Sequence, residues 1–132
     1  MSVAEAVFKR FHEEPVLVGM LPGGVHTVMA LKGETPRLIL GFEFSTIGNG
    51  TIRGGFVNAD IYDKSNDLDS MEQIRDRIIQ LVDRVPLQSE ESGPTLRLYL
   101  ESDGPESDPN TEIGVWTVTF GVRFLRDRLQ NL

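Results

Sequence analysis

Apolar residues recur at helical spacing near the start of the chain. Ser2 and Glu5 form a capping-box pair that favours a helix start there, and Pro15 is expected to end the helix near residues 12–14. The apolar face of this helix consists of Val3, Ala6, Val7 and Phe11. This spacing predicts an N-terminal helix with one buried stripe.

The longest helical pattern covers residues 67–85. Asn66 or Asp67 can cap its first turn, and Pro86 is expected to end it. Its apolar stripe consists of Leu68, Met71, Ile74, Ile78, Leu81, Val82 and Val85. Because these side chains share one side of the helix, we predict that the helix packs on a sheet.

Strand patterns occupy most of the remaining chain, either as alternation of apolar and polar positions or as a nearly continuous apolar run. The predicted strands cover residues 25–31, 37–45, 56–62, 95–101 and 113–125. The order of helices and strands indicates an α+β fold. We predict a mainly antiparallel sheet of about four to five strands, with one long helix packed on one face and an N-terminal helix, in a single domain over residues 1–132.

The glycine-rich stretch 46–55 (TIGNGTIRGG) lies between two predicted strands. Its Asn49–Gly50 pair is a strong signal for a hairpin turn. A phosphate-binding P-loop needs Lys followed by Ser or Thr after its last glycine, whereas Phe56 follows Gly55 here. We therefore predict a hairpin tip in this stretch.

The charge of the chain is acidic and unevenly distributed. The formal net charge is −7, and residues 60–112 hold 14 acidic and 5 basic residues, a net charge of −9. Ordinary nucleic-acid binding is not expected without a general basic patch. The chain has no Cys, and no apolar run approaches the roughly 20 residues that a membrane helix needs. We predict a soluble protein without disulfides and without a membrane partner.

Few residues suggest catalysis or metal binding. The two histidines, His12 and His26, do not have the spacing of a metal motif. Neither Ser45 nor Ser65 lies in a G-x-S-x-G sequence, although a Ser–His–Asp site assembled across the fold stays open. We predict no enzymatic activity, no cofactor and no metal.

Residues 101–112 (ESDGPESDPNTE) form the most acidic segment, with five carboxylates and no Lys or Arg. Oxygen ligands of this kind can bind calcium, but Pro105 and Pro109 break the spacing of an EF-hand loop. Three interpretations stay open: a cation site, a solvated surface loop, or a surface that faces a partner or repels an anion. The carboxylates belong to Glu101, Asp103, Glu106, Asp108 and Glu112.

Several stretches, taken in order, resemble a known family. They are the helix AEAVFKRF, the strand PRLILGFEFS with its glycine-rich tip, the segment GGFVNADIYDKSNDLDSMEQIRDRIIQLVDRVPL, and the closing strand GVWTVTFGVRF. In this order they resemble the tail-completion or tail-terminator proteins of long-tailed bacteriophages and their head-to-tail joining relatives. The resemblance spans about residues 3–126, and the stretch GGVHTVMALKGETP departs most from the family pattern.

The resemblance implies a structural virion protein at the head-proximal end of the phage tail, made in the cytoplasm of a bacterial host. It implies a homo-hexameric ring that ends polymerisation of the tail tube protein and docks on the head connector or stopper protein. DNA would pass through the ring without sequence-specific binding. The five carboxylates of residues 101–112 would then face the channel or a partner. The expected subunit-interface residues are Glu43, Arg53, Asp60, Tyr62 and Arg123.

Two alternatives stay open beside the tail terminator. The first is a neck or connector component of the same family. The second is a monomeric or dimeric module that binds a peptide along an exposed strand edge. In such a module, Glu43, Asp60 and Tyr62 would line the recognition face.

Overall fold

A computed structural model of the protein describes residues 3–27, 34–46, 52–64, 68–88, 95–106 and 113–125. These stretches form a mixed α+β fold with six strands and three helices, more of each than the sequence predicts. In chain order the elements are α1 (Val3–His12), α2 (Pro15–Met20), β1 (Val25–His26), β2 (Arg37–Thr46), β3 (Ile52–Lys64), α3 (Leu68–Val82), β4 (Pro86–Gln88), β5 (Thr95–Glu106) and β6 (Ile113–Leu125).

The strands form one sheet in the order β1-β2-β3-β6-β5-β4. Every neighbouring pair is antiparallel except β1 and β2, which are parallel, so the predicted mainly antiparallel sheet is confirmed. The strand predicted at residues 25–31 is described only at Val25–His26, and residues 28–31 lie outside the described residues. β4 is not among the strands predicted from the sequence, because three residues are too few to produce a periodic pattern.

The hydrophobic core lies between one face of the sheet and the helices. The predicted stripe of α1 is buried. The stripe of α3 is buried at five positions, whereas Leu68 in its first turn is 49% exposed. The sheet contributes alternate residues to the core, among them Leu38, Leu40, Val57, Ala59, Ile61, Leu96, Leu98, Val118 and Phe120. α1 contacts both β1 and β4, which belong to opposite edges, so the sheet is curled around the helical layer.

The structure corrects the prediction that Pro15 only ends the first helix. α1 does end at His12, but Pro15 begins α2, where the fixed φ of proline suits the first turn. The Glu14 carboxylate caps α2 by accepting a hydrogen bond from the Leu17 amide, with Oε2 and N 2.7 Å apart. The same carboxylate binds Arg77 of α3, with Oε1 and Nη2 2.6 Å apart. One side chain therefore both starts α2 and holds it against α3.

The glycine-rich stretch ends in a strand. Gly54 and Gly55 belong to β3 and pair with β2. Gly55 has a φ of 139°, and a side chain on it would overlap the carbonyl oxygen of Glu43. Glycine is therefore required by the close approach of β2. The hairpin tip predicted at Asn49–Gly50 lies outside the described residues.

The acidic segment is a strand in its first half. β5 continues to Glu106 instead of ending at Glu101, and its register against β6 shifts between Leu100 and Ser102. This shift is a β-bulge with Glu101 as the extra residue, so the side chains that follow change faces. Residues 107–112 lie outside the described residues.

Candidate functional site

The helices pack on one face of the sheet, and the opposite face, called the open face here, is the candidate site. Strand alternation points one set of side chains toward this face, and Phe56 on it is 45% exposed. The open-face residues are Gly41 and Glu43 of β2, Phe56, Asn58, Asp60 and Tyr62 of β3, Val115, Thr117, Thr119, Gly121 and Arg123 of β6, and Arg97, Tyr99, Ser102, Gly104 and Glu106 of β5.

Four of the five predicted interface residues lie on the open face. Glu43 is exposed on β2, Asp60 and Tyr62 are half-buried on β3, and Arg123 is exposed on β6. Arg53 belongs to β3, but its side chain lies outside the described part of the structure. The four residues are spread across three strands and do not form one cluster.

The centre of the open face holds two carboxylates beside Thr117. Thr117 is the ladder partner of Asp60, and its Oγ1 lies 3.4 Å from Oε1 of Glu106. Burial raises the pKa of Asp60, a hydrogen bond from Thr117 lowers it, and the Glu106 charge raises it further. The hydroxyl has one hydrogen, so it can donate to only one of the two carboxylates at a time. Burial also raises the pKa of Tyr62; the charges of Asp60 and Glu106 raise it further, and the charge of Arg37 lowers it.

Asp60→Asn is expected to stabilise the folded protein at pH 7. A carboxyl group whose pKa is raised by folding destabilises the folded state once the pH exceeds its folded-state pKa. This destabilisation disappears below the unfolded-state pKa of 3.8. The gain is at most about 1 kcal/mol because solvent screens a half-exposed group. Urea unfolding at pH 7 and pH 3.5 measures it, with Glu43→Gln as the exposed control on the same face. Lower stability of Asp60→Asn at pH 7 would contradict the expectation.

The three described carboxylates of the acidic segment do not converge on one site. Asp103 points to the helical side, where its Oδ2 lies 2.9 Å from Nη1 of Arg75. The Arg75 guanidinium carbon lies 5.4 Å from the ring centre of Trp116. Glu101 extends over Gly121, while Glu106 belongs to the centre of the open face. Residues 101–106 are therefore a strand with carboxylates on both sides of the sheet, and not the loop that the sequence suggested, while Asp108 and Glu112 lie outside the described residues.

Three arginines gather at Tyr99, near the β5 side of the open face. We call Arg84, Arg97, Arg123 and Tyr99 the Tyr99 arginine cluster. The guanidinium carbons of Arg123 and Arg84 lie 5.0 and 5.9 Å from the centre of the tyrosine ring, within cation–π range. Arg97 lies opposite Arg123 in the β5–β6 ladder. Within the described part of the chain, none of the three arginines forms an ion pair.

The sequence contained only part of the signal for this cluster. Alternation in TLRLYLE places Arg97 and Tyr99 on the same face of a strand. The approach of Arg123 depends on the pairing of β5 with β6, and that of Arg84 depends on the turn after α3. Arg84 has a φ of 61°, and its amide donates a hydrogen bond to the carbonyl oxygen of Leu98 at 2.7 Å.

The residues considered for metal binding or catalysis do not meet in the described structure. His12 stacks on Phe8 with ring centres 5.2 Å apart, and Nε2 of His26 lies 2.6 Å from the carbonyl oxygen of Gly23. Among the described residues, no three His, Asp or Glu side chains are grouped so that they could hold a metal ion. No helix in the same residues is long and apolar enough to cross a membrane.

Comparison with known proteins identifies the fold. No protein-family model matches the chain, and a search of curated proteins finds no match. A solved chain described as "Virion of native gene transfer agent (GTA) particle" superposes with a TM-score of 0.69 at 10% identity, covering 93% of this chain and 94% of that chain. A second solved chain, whose description states no role, gives a TM-score of 0.67 at 14% identity, covering 95% and 94%. At these identities the likeness establishes a shared fold.

Proposed function

We propose that this protein is a structural component of a virion. More particularly, we propose that it is a tail terminator, which caps the head-proximal end of a phage tail tube as a hexameric ring. The observation that carries the proposal is the fold, which matches a chain of a gene transfer agent virion over 94% of the length of that chain. The order of the helices and strands in the sequence supports the same class.

Ring formation requires two different surfaces on each subunit that fit each other. A head-to-tail contact closes only when one patch of a copy complements another patch of the next copy. The open face offers such a pair: exposed Glu43 on β2, near one side of the sheet, and the three arginines around Tyr99 of β5, near the other side. A single subunit therefore carries both charges needed for repeated association.

Passage of DNA requires a channel that does not bind phosphate. Carboxylates repel phosphate over about 8 Å at physiological ionic strength. Asp60 and Glu106 supply negative charge at the centre of the open face, and the acidic segment as a whole holds five carboxylates. In the proposed ring the two open-face carboxylates, those of Asp60 and Glu106, face the channel or the tail tube and head connector proteins. The role is structural, without catalysis or a cofactor.

Deletion of the gene from its phage is expected to leave filled heads and unattached tails of irregular length. The reason is that an uncapped tube continues to polymerise and lacks the surface that docks on the head connector. Electron microscopy of the lysate measures tail length and attachment, and a plasmid copy of the wild-type gene is the control. Normal tails joined to heads would refute the proposal. Tails of uniform length that fail to join heads would favour the neck or connector alternative.

A further inference from the structure

The Tyr99 arginine cluster concentrates positive charge in an acidic protein. Arg97 and Arg123 face each other across the ladder, an arrangement that destabilises an isolated subunit through like-charge repulsion. Nε of Arg97 is buried without a hydrogen-bond partner among the described atoms. The Tyr99 ring holds the guanidinium groups of Arg84 and Arg123 in position. Such a preorganised group of arginines is suited to bind a carboxylate from another molecule.

A carboxylate lies at the other end of the same cross-strand row. Glu43 is paired with Phe56, Phe56 with Gly121, and Gly121 with Tyr99. The row crosses three inter-strand spacings, so its ends lie about 14 Å apart. Glu43 is exposed. Among the described strands, only β1 pairs with the outer edge of β2, and that pairing ends at Ile39. The carboxylate is thus accessible at the same height along the strands as Tyr99, two residues along from the rung of Arg97 and Arg123.

We propose that the Tyr99 arginine cluster of one copy binds Glu43 of the next copy, and that this contact links successive subunits of the ring. The inference rests on the ring function proposed above. The two patches lie at opposite ends of one row, so a rotation about an axis along the strands brings them together, and its repetition closes a ring. Phe56, 45% exposed beside Glu43, adds apolar area to the same contact.

A charge swap tests the contact, with assembly of the full chain measured by sedimentation velocity over a range of concentrations. The combined change Arg84→Glu and Arg123→Glu is expected to raise the concentration for half-assembly at least about tenfold, because attraction becomes repulsion. Glu43→Arg alone is expected to do the same. Combining all three changes is expected to restore assembly to within about threefold of the wild type, because the two charged surfaces are then exchanged.

Matched controls lie on α1, on the helical side of the molecule. Glu13→Arg makes the same charge change as Glu43→Arg, and Lys9→Glu reverses one positive charge, as each of the two arginine changes does. Both controls are at exposed positions and are expected to leave assembly unchanged. Melting of dilute protein separates folding from assembly in every variant. Glu43 is exposed, so Glu43→Arg tests the contact even if the arginine variant loses stability.

The outcomes distinguish this contact from the ring function. A wild-type protein that never assembles, alone or with tail tubes, overturns both. If the wild type assembles, three results would overturn the contact but not the ring function. They are charge reversals on one side that have no effect, an exchanged variant that does not recover, and α1 controls that impair assembly. The contact is also overturned if the arginine variant assembles normally but loses binding to a short single-stranded DNA, because the cluster would then bind phosphate.

Discussion

Gly55→Ala is expected to lower the free energy of unfolding by about 3 kcal/mol, because the backbone around Gly55 leaves no space for a side chain. With φ at 139°, Gly55 adopts a conformation that L-residues rarely occupy. An added Cβ would overlap the Glu43 carbonyl oxygen and lie 2.8 Å from Cα of Phe44. Both neighbours are backbone atoms of β2, so relief requires separating β2 from β3. Urea unfolding at pH 7 measures the loss.

Gly104→Ala is the matched control for this prediction. Gly104 also lies in a long strand, but a Cβ there would meet no atom within 4 Å. The expected change is within about 0.5 kcal/mol of the wild type. Equal stability of the two variants would contradict the close approach of β2 to Gly55.

Glu14→Gln is expected to destabilise the protein by on the order of 2 kcal/mol at pH 7. The charged carboxylate caps α2 at Leu17 and accepts two hydrogen bonds from Arg77, at 2.6 and 3.2 Å. A neutral amide can make only part of these contacts, and charge-assisted bonds are the stronger kind. Thermal and urea unfolding measure the loss. Glu13→Gln, at a neighbouring exposed position, is expected to cause no measurable change.

The pH dependence of the stability difference between the wild type and Glu14→Gln gives a sharper test. The hydrogen bond from Arg77 lowers the pKa of Glu14 to about 2 from 4.5; burial opposes this shift, and backbone N–H groups of α2 support it. A carboxylate whose pKa is lowered by folding contributes stability that is fully present above its unfolded-state pKa. This stability is lost as the pH falls through its folded-state pKa. The difference between wild type and Glu14→Gln should therefore be constant from pH 7 to 5 and shrink between 4.5 and 2. A difference already lost at pH 5 would contradict the geometry at Glu14.

The elements that the sequence predicted well are those whose own residues determine them. Burial of one side of a helix or strand produces a periodic pattern of apolar residues. Examples are the stripe of α1 and the alternation in residues 56–62 and 113–125. α2 was missed because Pro15 signals both the end of one helix and the start of another. The acceptor side chain of Glu14 beside Pro15 is the local signal that could have revealed it.

The positions of the charged side chains were less predictable, because they depend on pairing between distant strands. Gly104 and Pro105 lie beyond the end of the strand predicted at 95–101, yet they pair with the long strand β6 and belong to β5. The bulge at Glu101 then reverses the alternation, sending Asp103 to Arg75 on the helical side. No local pattern records such a shift, since it arises only when β5 is aligned with β6. Alternation within single strands placed four of the expected interface residues on one face of the sheet, whereas the Tyr99 arginine cluster depends on strand pairing and was not predicted.

Negative-stain electron microscopy of the concentrated protein, alone and mixed with purified tail tubes, tests most directly whether identical subunits close into a ring. We expect rings with six-fold symmetry and a central hole, found free in solution or at one end of each tube. Single particles of subunit size at every concentration, with tube ends left bare, would contradict this expectation.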